Sequence, residues 1–275
     1  MNRLPDVAVD GIAFWSSRLP GWDIARAVIR GEQPPPTTSN PRPAPALLAP
    51  TERRRAPDTV AIALEVASRA CESAGVAPAE LPSVFASTHG DLAISDHMCA
   101  TLATSPTLIS PIKFHNSVHN AAAGYWSIGT GSVAPYTAIS AFEHTFGAGL
   151  LEAAVQAACA QQPVLYVAFD IEAKGALATV AQSRGLFAVA LVLSPADGRS
   201  ARRMAMQMRS VDAVSLTPSR SPAAALVADN ALAPCLPLFE ALAQTNDATV
   251  DLSLGHKVIL SVALSLRESL IQRLP

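Results

Sequence analysis

Two apolar runs constrain this 275-residue chain more than any other feature: Val164–Asp170, reading VLYVAFD, and residues 187–193, reading FAVALVL. Both are strand-sized. A strand without alternating polar positions must be covered on both faces, so helices have to flank it. Helical patterns are present to do this. In Asp58–Ala74, Ile62, Val66, Ala70 and Ala74 recur at helical spacing; Asp58 is placed to cap the start and Gly75 to stop the end. Thr145–Ala160 is alanine-rich, with Leu150, Leu151, Ala154, Val155 and Ala158 expected to face inward. Shorter strands are expected at residues 7–14, 84–87 and 134–141, a short helix at residues 22–30, and a loop passing into a polar helix over residues 89–103. This alternation predicts an α/β layered fold with a largely parallel sheet.

Beyond residue 193 the pattern changes. Residues 202–221 show no clear period. Leu236–Ala243 reads as a helix. Val250, Leu252 and Leu254, then Val258, Leu260, Val262 and Leu264, alternate about Gly255-His256-Lys257, which predicts a β-hairpin. Residues 33–50 carry Pro34, Pro35, Pro36, Pro41, Pro43 and Pro45. Proline lacks the amide donor and fixes φ, so this stretch is an extended connection, either a loop within the domain or a linker.

Half the residues are hydrophobic, 15% are charged, and the formal net charge is -2. So thin a charged shell points to surface covered by another subunit. The missing basic excess argues against nucleic acid. No apolar run approaches the roughly 18 residues of a membrane span. Asp6 and Asp10 sit where a secretory signal needs an apolar core, and Cys71, Cys99, Cys159 and Cys235 form no CxxC pair. A cytoplasmic, reduced protein without metal or other cofactor is expected, with Cys71 and Cys159 as small core residues.

The segment from Ser110-Pro111 to Asp170 reads SPIKFHNSVHNAAAGYWSIGTGSVAPYTAISAFEHTFGAGLLEAA and then PVLYVAFD. It resembles the N-terminal half of the β-ketoacyl synthases, in which an SP loop precedes N-x-x-x-G, a second glycine, G-P and a strand ending in T-A-C. Asn120, Gly124, Ile128, Gly131, Pro135, Ile139 and Ser140 fall into that frame. Residues 6–14, Arg53-Arg54-Arg55 with the helix to Gly75-Val76, and residues 187–193 agree in order. The resemblance covers residues 5–195, so the chain is expected to be one thiolase-like domain, residues 1–275, whose C-terminal part, residues 196–275, is reduced.

The departures carry the functional expectation. The family's nucleophilic cysteine follows the interface strand at a helix N-terminus, where the dipole favours the thiolate. In the ungapped register this position is Glu143, and a carboxylate is a poor acyl acceptor for thioester exchange. The family's two decarboxylation histidines come from G-T-x-T and K-x-x-x-G-H contexts that this chain lacks. The resemblance therefore implies a chain-length-factor type: a non-catalytic subunit that forms a heterodimer with an active ketosynthase and shapes its acyl tunnel. The FHNSVHNAAAGYWSI phrase resembles the short ketosynthase-like proteins of aryl-polyene pigment pathways. The acyl carrier protein would be met only indirectly, through that partner. Two alternatives remain at this level: a thioester hydrolase or decarboxylase using Glu143 and His144, and a homodimeric scaffold.

The resemblance puts His89, Asp91, Leu92, Ser95 and Cys99 near the partner's tunnel, with Leu92, Ser95, Asp96 and Cys99 on one helix face. Candidates for the subunit interface are Phe114, Asn116, His119, Asn120, Pro135, Ile139, Phe142 and Glu143. Phe114, Tyr125, Trp126, Phe142 and Phe146 are equally readable as interface or core. His115 and His119 have helical metal-ligand spacing, but no Glu or Cys joins them, so they are expected to satisfy buried polar groups. Asn120 is expected to tether its loop through its amide.

Overall fold

A computed structural model describes residues 2–179, 182–196, 200 and 202–266. The strands are β1 (Asn2–Arg3), β2 (Val7–Ser16), β3 (Ser83–Ala86), β4 (Tyr136–Ile139), β5 (Val164–Asp170), β6 (Phe187–Pro195), β7 (Arg202–Ser210), β8 (Ala248–Gly255) and β9 (Val258–Leu266). They form one sheet in the order β4-β3-β5-β6-β2-β7-β9-β8, with β1 beside β7. The helices are α1 (Trp22–Ile29), α2 (Pro50–Arg55), α3 (Asp58–Ala74), α4 (Leu92–Thr104), α5 (Pro111–Asn116), α6 (Ala121–Thr130), α7 (Thr145–Ala160), α8 (Pro222–Ala225) and α9 (Leu236–Ala243).

The two apolar runs are central strands, β5 and β6, with every position from Val164 to Asp170 and from Phe187 to Ser194 buried. One face of the sheet packs Phe14, Tyr166, Phe187 and Leu191 against Leu150 and Phe146 of α7, α1 and Phe239 of α9. The other packs Phe85, Leu165 and Val192 against Ile62, Leu64 and Val66 of α3 and Trp126 of α6. Gly75 closes α3 at φ 65, a left-handed cap that glycine adopts without a Cβ penalty.

The sheet is not largely parallel. Only β4, β3 and β5 run parallel; β5–β6, β6–β2, β2–β7, β7–β9 and β9–β8 are antiparallel. A parallel pair needs a crossover, usually a helix, and the described residues between β5 and β6 hold only a 3-10 turn, Gly175–Thr179. Residues 202–221, which show no clear period in the sequence, include a strand, because Arg202–Ser210 is β7. Its Met204 and Met206 are buried and alternate with half-exposed residues. That period of two was the available signal. Methionine's good helix propensity obscures it, and pairing with the distant β2 and β9 decides it.

The Pro-rich stretch is a loop within the domain. Arg18 donates from Nε to the Pro36 carbonyl at 2.7 Å, and Arg42 donates to the Ala56 carbonyl at 2.6 Å and to Asp58 at 3.1 Å. Asp58 is thereby the loop's anchor and makes no cap; Pro57 precedes α3 without a side-chain cap bond. Cys71 is core, but Cys159 is exposed, facing outward from the last turn of α7. The hairpin β8–β9 forms about residues 255–258 as its alternation requires.

Candidate functional site

The parallel strands β4, β3 and β5 end together, and their C-terminal ends are where open α/β sheets place their sites. After β3 come Ser87, Thr88, His89 and Gly90; after β4 comes the turn from Ser140 to His144; β5 ends on Asp170. Asp170 is buried and accepts from Ser87 Oγ at 2.9 Å, from the Thr88 amide at 3.0 Å and from Thr88 Oγ1 at 2.7 Å. His119 Nε2 donates to the Ser87 carbonyl at 2.8 Å, and Ser140 Oγ donates to the Thr88 carbonyl at 2.9 Å. The loop after β3 is thus held from three sides.

Burial raises the Asp170 carboxyl above the ordinary carboxylate range, against the opposing hydrogen bonds from Thr88 and Ser87. The folded chain therefore holds this proton more tightly than the unfolded chain, whose aspartate titrates near about 3.9. The associated stability is full below about that pH and is lost as pH rises through the higher folded value. Urea unfolding at a series of pH values should show wild-type stability falling relative to Asp170→Asn above about pH 4; parallel pH profiles for the two proteins would contradict this.

Of the five residues expected near a partner tunnel, Asp91 has a structural duty. It caps α4 by accepting from the Ile94 amide at 2.9 Å and accepts from Thr59 Oγ1 at 3.2 Å. Leu92 is buried with Ala173 of the same chain. His89, Ser95 and Cys99 remain at least partly exposed. Of the two histidines at metal-ligand spacing, His119 is bonded to Ser87, and His115 packs edge-on to Tyr125 with centroids 6.1 Å apart. Among the described residues no group of three His, Cys, Asp or Glu side chains is placed to hold a metal.

Among the described residues, strand β4 is an edge with no strand on its outer side. The Ser83 and Ser87 amides donate to the Pro135 and Ile139 carbonyls at 3.1 and 3.3 Å. Backbone groups alternate sides along a strand, so Thr137 also faces β3, and those of Tyr136 and Ala138 face outward. The segments flanking this edge in the sequence carry exposed apolar side chains. Apart from Leu216 and Leu266, every exposed large hydrophobic among the described residues lies between Leu102 and Phe142. They include Ile112, Phe114, Val118, Ile128, Val133, Tyr136 and Phe142, of which Val133 is 100% exposed. A groove of about 660 Å³ runs beside them, lined by Leu48, Ile112, Tyr125, Ile128 and Tyr136. Asn120 donates to the Tyr136 hydroxyl at 3.2 Å, and Tyr125 donates to the buried Asn116 at 3.2 Å. Trp126 and Phe146, by contrast, are core.

The turn after β4 has an unusual backbone. Phe142 sits at φ 48, a left-handed conformation that bulky residues avoid. Thr145 braces both its flanks, accepting from the Ala141 amide at 2.9 Å and donating to the Phe142 carbonyl at 2.6 Å. The next residue, Glu143, points to solvent, 76% exposed, with Oε1 3.7 Å from His144 Nε2. His144 Nδ1 is bonded to Ser253 Oγ of β8 at 2.7 Å. The sheet curls around α7, so its far edge returns to support the turn that follows its near edge.

No residue from Ser140 to Thr145 is a cysteine. Cys71 is pushed up to about 12, first by burial and then by Glu72, and burial likewise raises Cys235. Cys99 and Cys159 are exposed on α4 and α7, away from the turn in sequence. Reading the sequence alone misses the parts played by Ser87, Thr88, Asp170 and Ser253. A carboxylate closing an otherwise apolar strand was the one signal for Asp170; nothing local marks Ser253.

Among the described residues, no helix is long and apolar enough to cross a membrane. No curated protein matches the chain. Solved structures share the fold, and three of them illustrate it. A ketosynthase (ApeO) in complex with its chain length factor (ApeC) from Xenorhabdus doucetiae aligns at TM-score 0.71 with 19% identity, covering 94% of this chain and 100% of that one. The ishigamide ketosynthase/chain length factor aligns at 0.67 with 14% identity, covering 96% and 100%. The complex AntDE:AntF, a type II PKS acyl-carrier protein with its ketosynthase, aligns at 0.72 with 9% identity, covering 95% and 99%. The architecture is thus the thiolase-like ketosynthase fold in a short form. The profile of the β-ketoacyl synthase N-terminal domain matches residues 29–250, and with the strand order and the turn after β4 in place, the chain belongs to that family.

Proposed function

We propose that this chain is a non-catalytic, chain-length-factor-like subunit that pairs with an active β-ketoacyl synthase in polyene, polyketide or fatty-acid-type biosynthesis and bounds its acyl tunnel. The observation that carries this reading is that β4 is an edge strand among the described residues and that its Tyr136 lines a groove with the exposed Ile112, Val118 and Ile128. Such an edge is a liability in water unless another chain covers it. The turn after β4 lacks a thiol, so the condensation chemistry falls to the partner: its cysteine holds the acyl chain and the carrier protein delivers the extender there. The similar structures named as ketosynthase–chain length factor complexes support the same pairing.

Co-expression with a cysteine-bearing condensing enzyme should give a one-to-one complex by native mass. Within that complex, Cys99→Trp, on the exposed part of α4, should shorten the products and leave assembly intact. A chain that stays monomeric or homodimeric beside such enzymes, or that turns over acyl thioesters alone, would overturn the proposal. Glu143→Gln separates the second case, since a hydrolase using Glu143 and His144 would lose its turnover.

A further inference from the structure

We infer that Phe142, one residue before Glu143, stands at the position that carries the acyl group in an active condensing enzyme, so that an inert phenyl ring, not a carboxylate, silences this turn. The inference rests on the reading of the chain as a non-catalytic relative of the condensing enzymes. A nucleophile at the end of a strand is presented by a sharp, strained strand-to-helix turn that thrusts a single side chain forward. Only one residue of the turn between β4 and α7 has that backbone: Phe142, at φ 48. Strain of this kind persists where the surroundings over-determine it. Here they do, because Thr145, itself buried, bonds the backbone on both sides of Phe142.

The directions of the two side chains agree. The Phe142 ring meets His89 edge-on, with centroids 6.5 Å apart, and so faces the loop after β3. That loop and this turn sit at the shared C-terminal end of the parallel strands. Glu143 turns the other way, toward His144, whose ring is anchored on the β8 hairpin by Ser253. A thioester approaching the strand ends would meet the phenyl ring, while the carboxylate lies to the side. The ring is also 71% exposed.

The test compares Phe142→Cys with Glu143→Cys in the free chain. Each introduced thiol is alkylated with iodoacetamide over a range of pH, and peptide mapping separates it from Cys99 and Cys159. The thiol at 142 should react about tenfold faster at neutral pH, because it is thrust forward at the start of α7 beside His89, a setting that favours the thiolate. Equal rates, or a faster thiol at 143, would overturn the inference. A backbone readout covers the case of a variant that folds poorly: Phe142→Gly should raise the melting temperature and Glu143→Gly should lower it, and the reverse order would place the strained apex elsewhere. Neither measurement involves a partner. Failure to bind a condensing enzyme would therefore sink the assembly proposal and leave the choice between 142 and 143 standing.

Discussion

Replacing Ala138 with proline is expected to abolish assembly with a condensing enzyme while leaving the isolated chain folded. The amide of Ala138 faces away from β3, as the alternation from Pro135 and Ile139 requires, so no internal hydrogen bond is lost. Proline is tolerated on an edge strand when its missing donor faces outward. A partner strand laid along β4 would lose that donor and meet the pyrrolidine ring, and its own facing carbonyl would be buried unpaired. Each such group costs roughly 1–3 kcal/mol. A total near 3 kcal/mol is about a 100-fold loss of affinity. Thr137→Pro is the contrasting variant: its amide faces β3, so it should damage the fold itself. Native mass of the co-expressed pair and thermal melts of the isolated variants read both effects. Normal assembly of Ala138→Pro would show that the partner does not use this edge.

The second large effect is expected at Gly147, in the first turn of α7. A Cβ there would lie 2.5 Å from the Ser253 carbonyl oxygen, a backbone atom that cannot swing aside. Glycine inside a helix costs about 1 kcal/mol relative to alanine, so its presence in α7 needs a compensating close approach. That approach is the docking of β8 on the turn after β4, which also includes the His144–Ser253 bond. Gly147→Ala should therefore destabilise the chain by roughly 1–3 kcal/mol, against the usual helix preference, by pushing the hairpin away. Ser253→Ala removes only the hydrogen bond and should cost about 1 kcal/mol. Urea unfolding measures both. A Gly147→Ala chain as stable as the parent would mean that the hairpin does not bear on α7.

The helices and central strands were legible because their signals are local. Asp58–Ala74 and Thr145–Ala160 carry an apolar stripe at helical spacing, and β5 and β6 are apolar throughout. Strand direction was not legible. The apolar character of β5 and β6 states that both faces are covered, and the same character fits a parallel or an antiparallel neighbour. The sheet took the antiparallel option from β5 onward. β7 was missed for a related reason: its methionines are strand residues only because β2 and β9 lie on either side.

At the site, the absence of a thiol between Ser140 and Thr145 is a property of the one-dimensional chain, and so is the order of motifs that places it after an edge strand. Which residue stands at the apex of that turn is not. An ungapped register points to Glu143; the backbone puts the left-handed conformation on Phe142, because Thr145 and the returning hairpin hold the turn there. Composition and periodicity determined that this chain would make an α/β sheet covered on both faces. Only the tertiary structure decided which strand lies at the edge and which residue of the turn takes the left-handed backbone, because both depend on pairings between residues far apart in sequence, which no local pattern encodes.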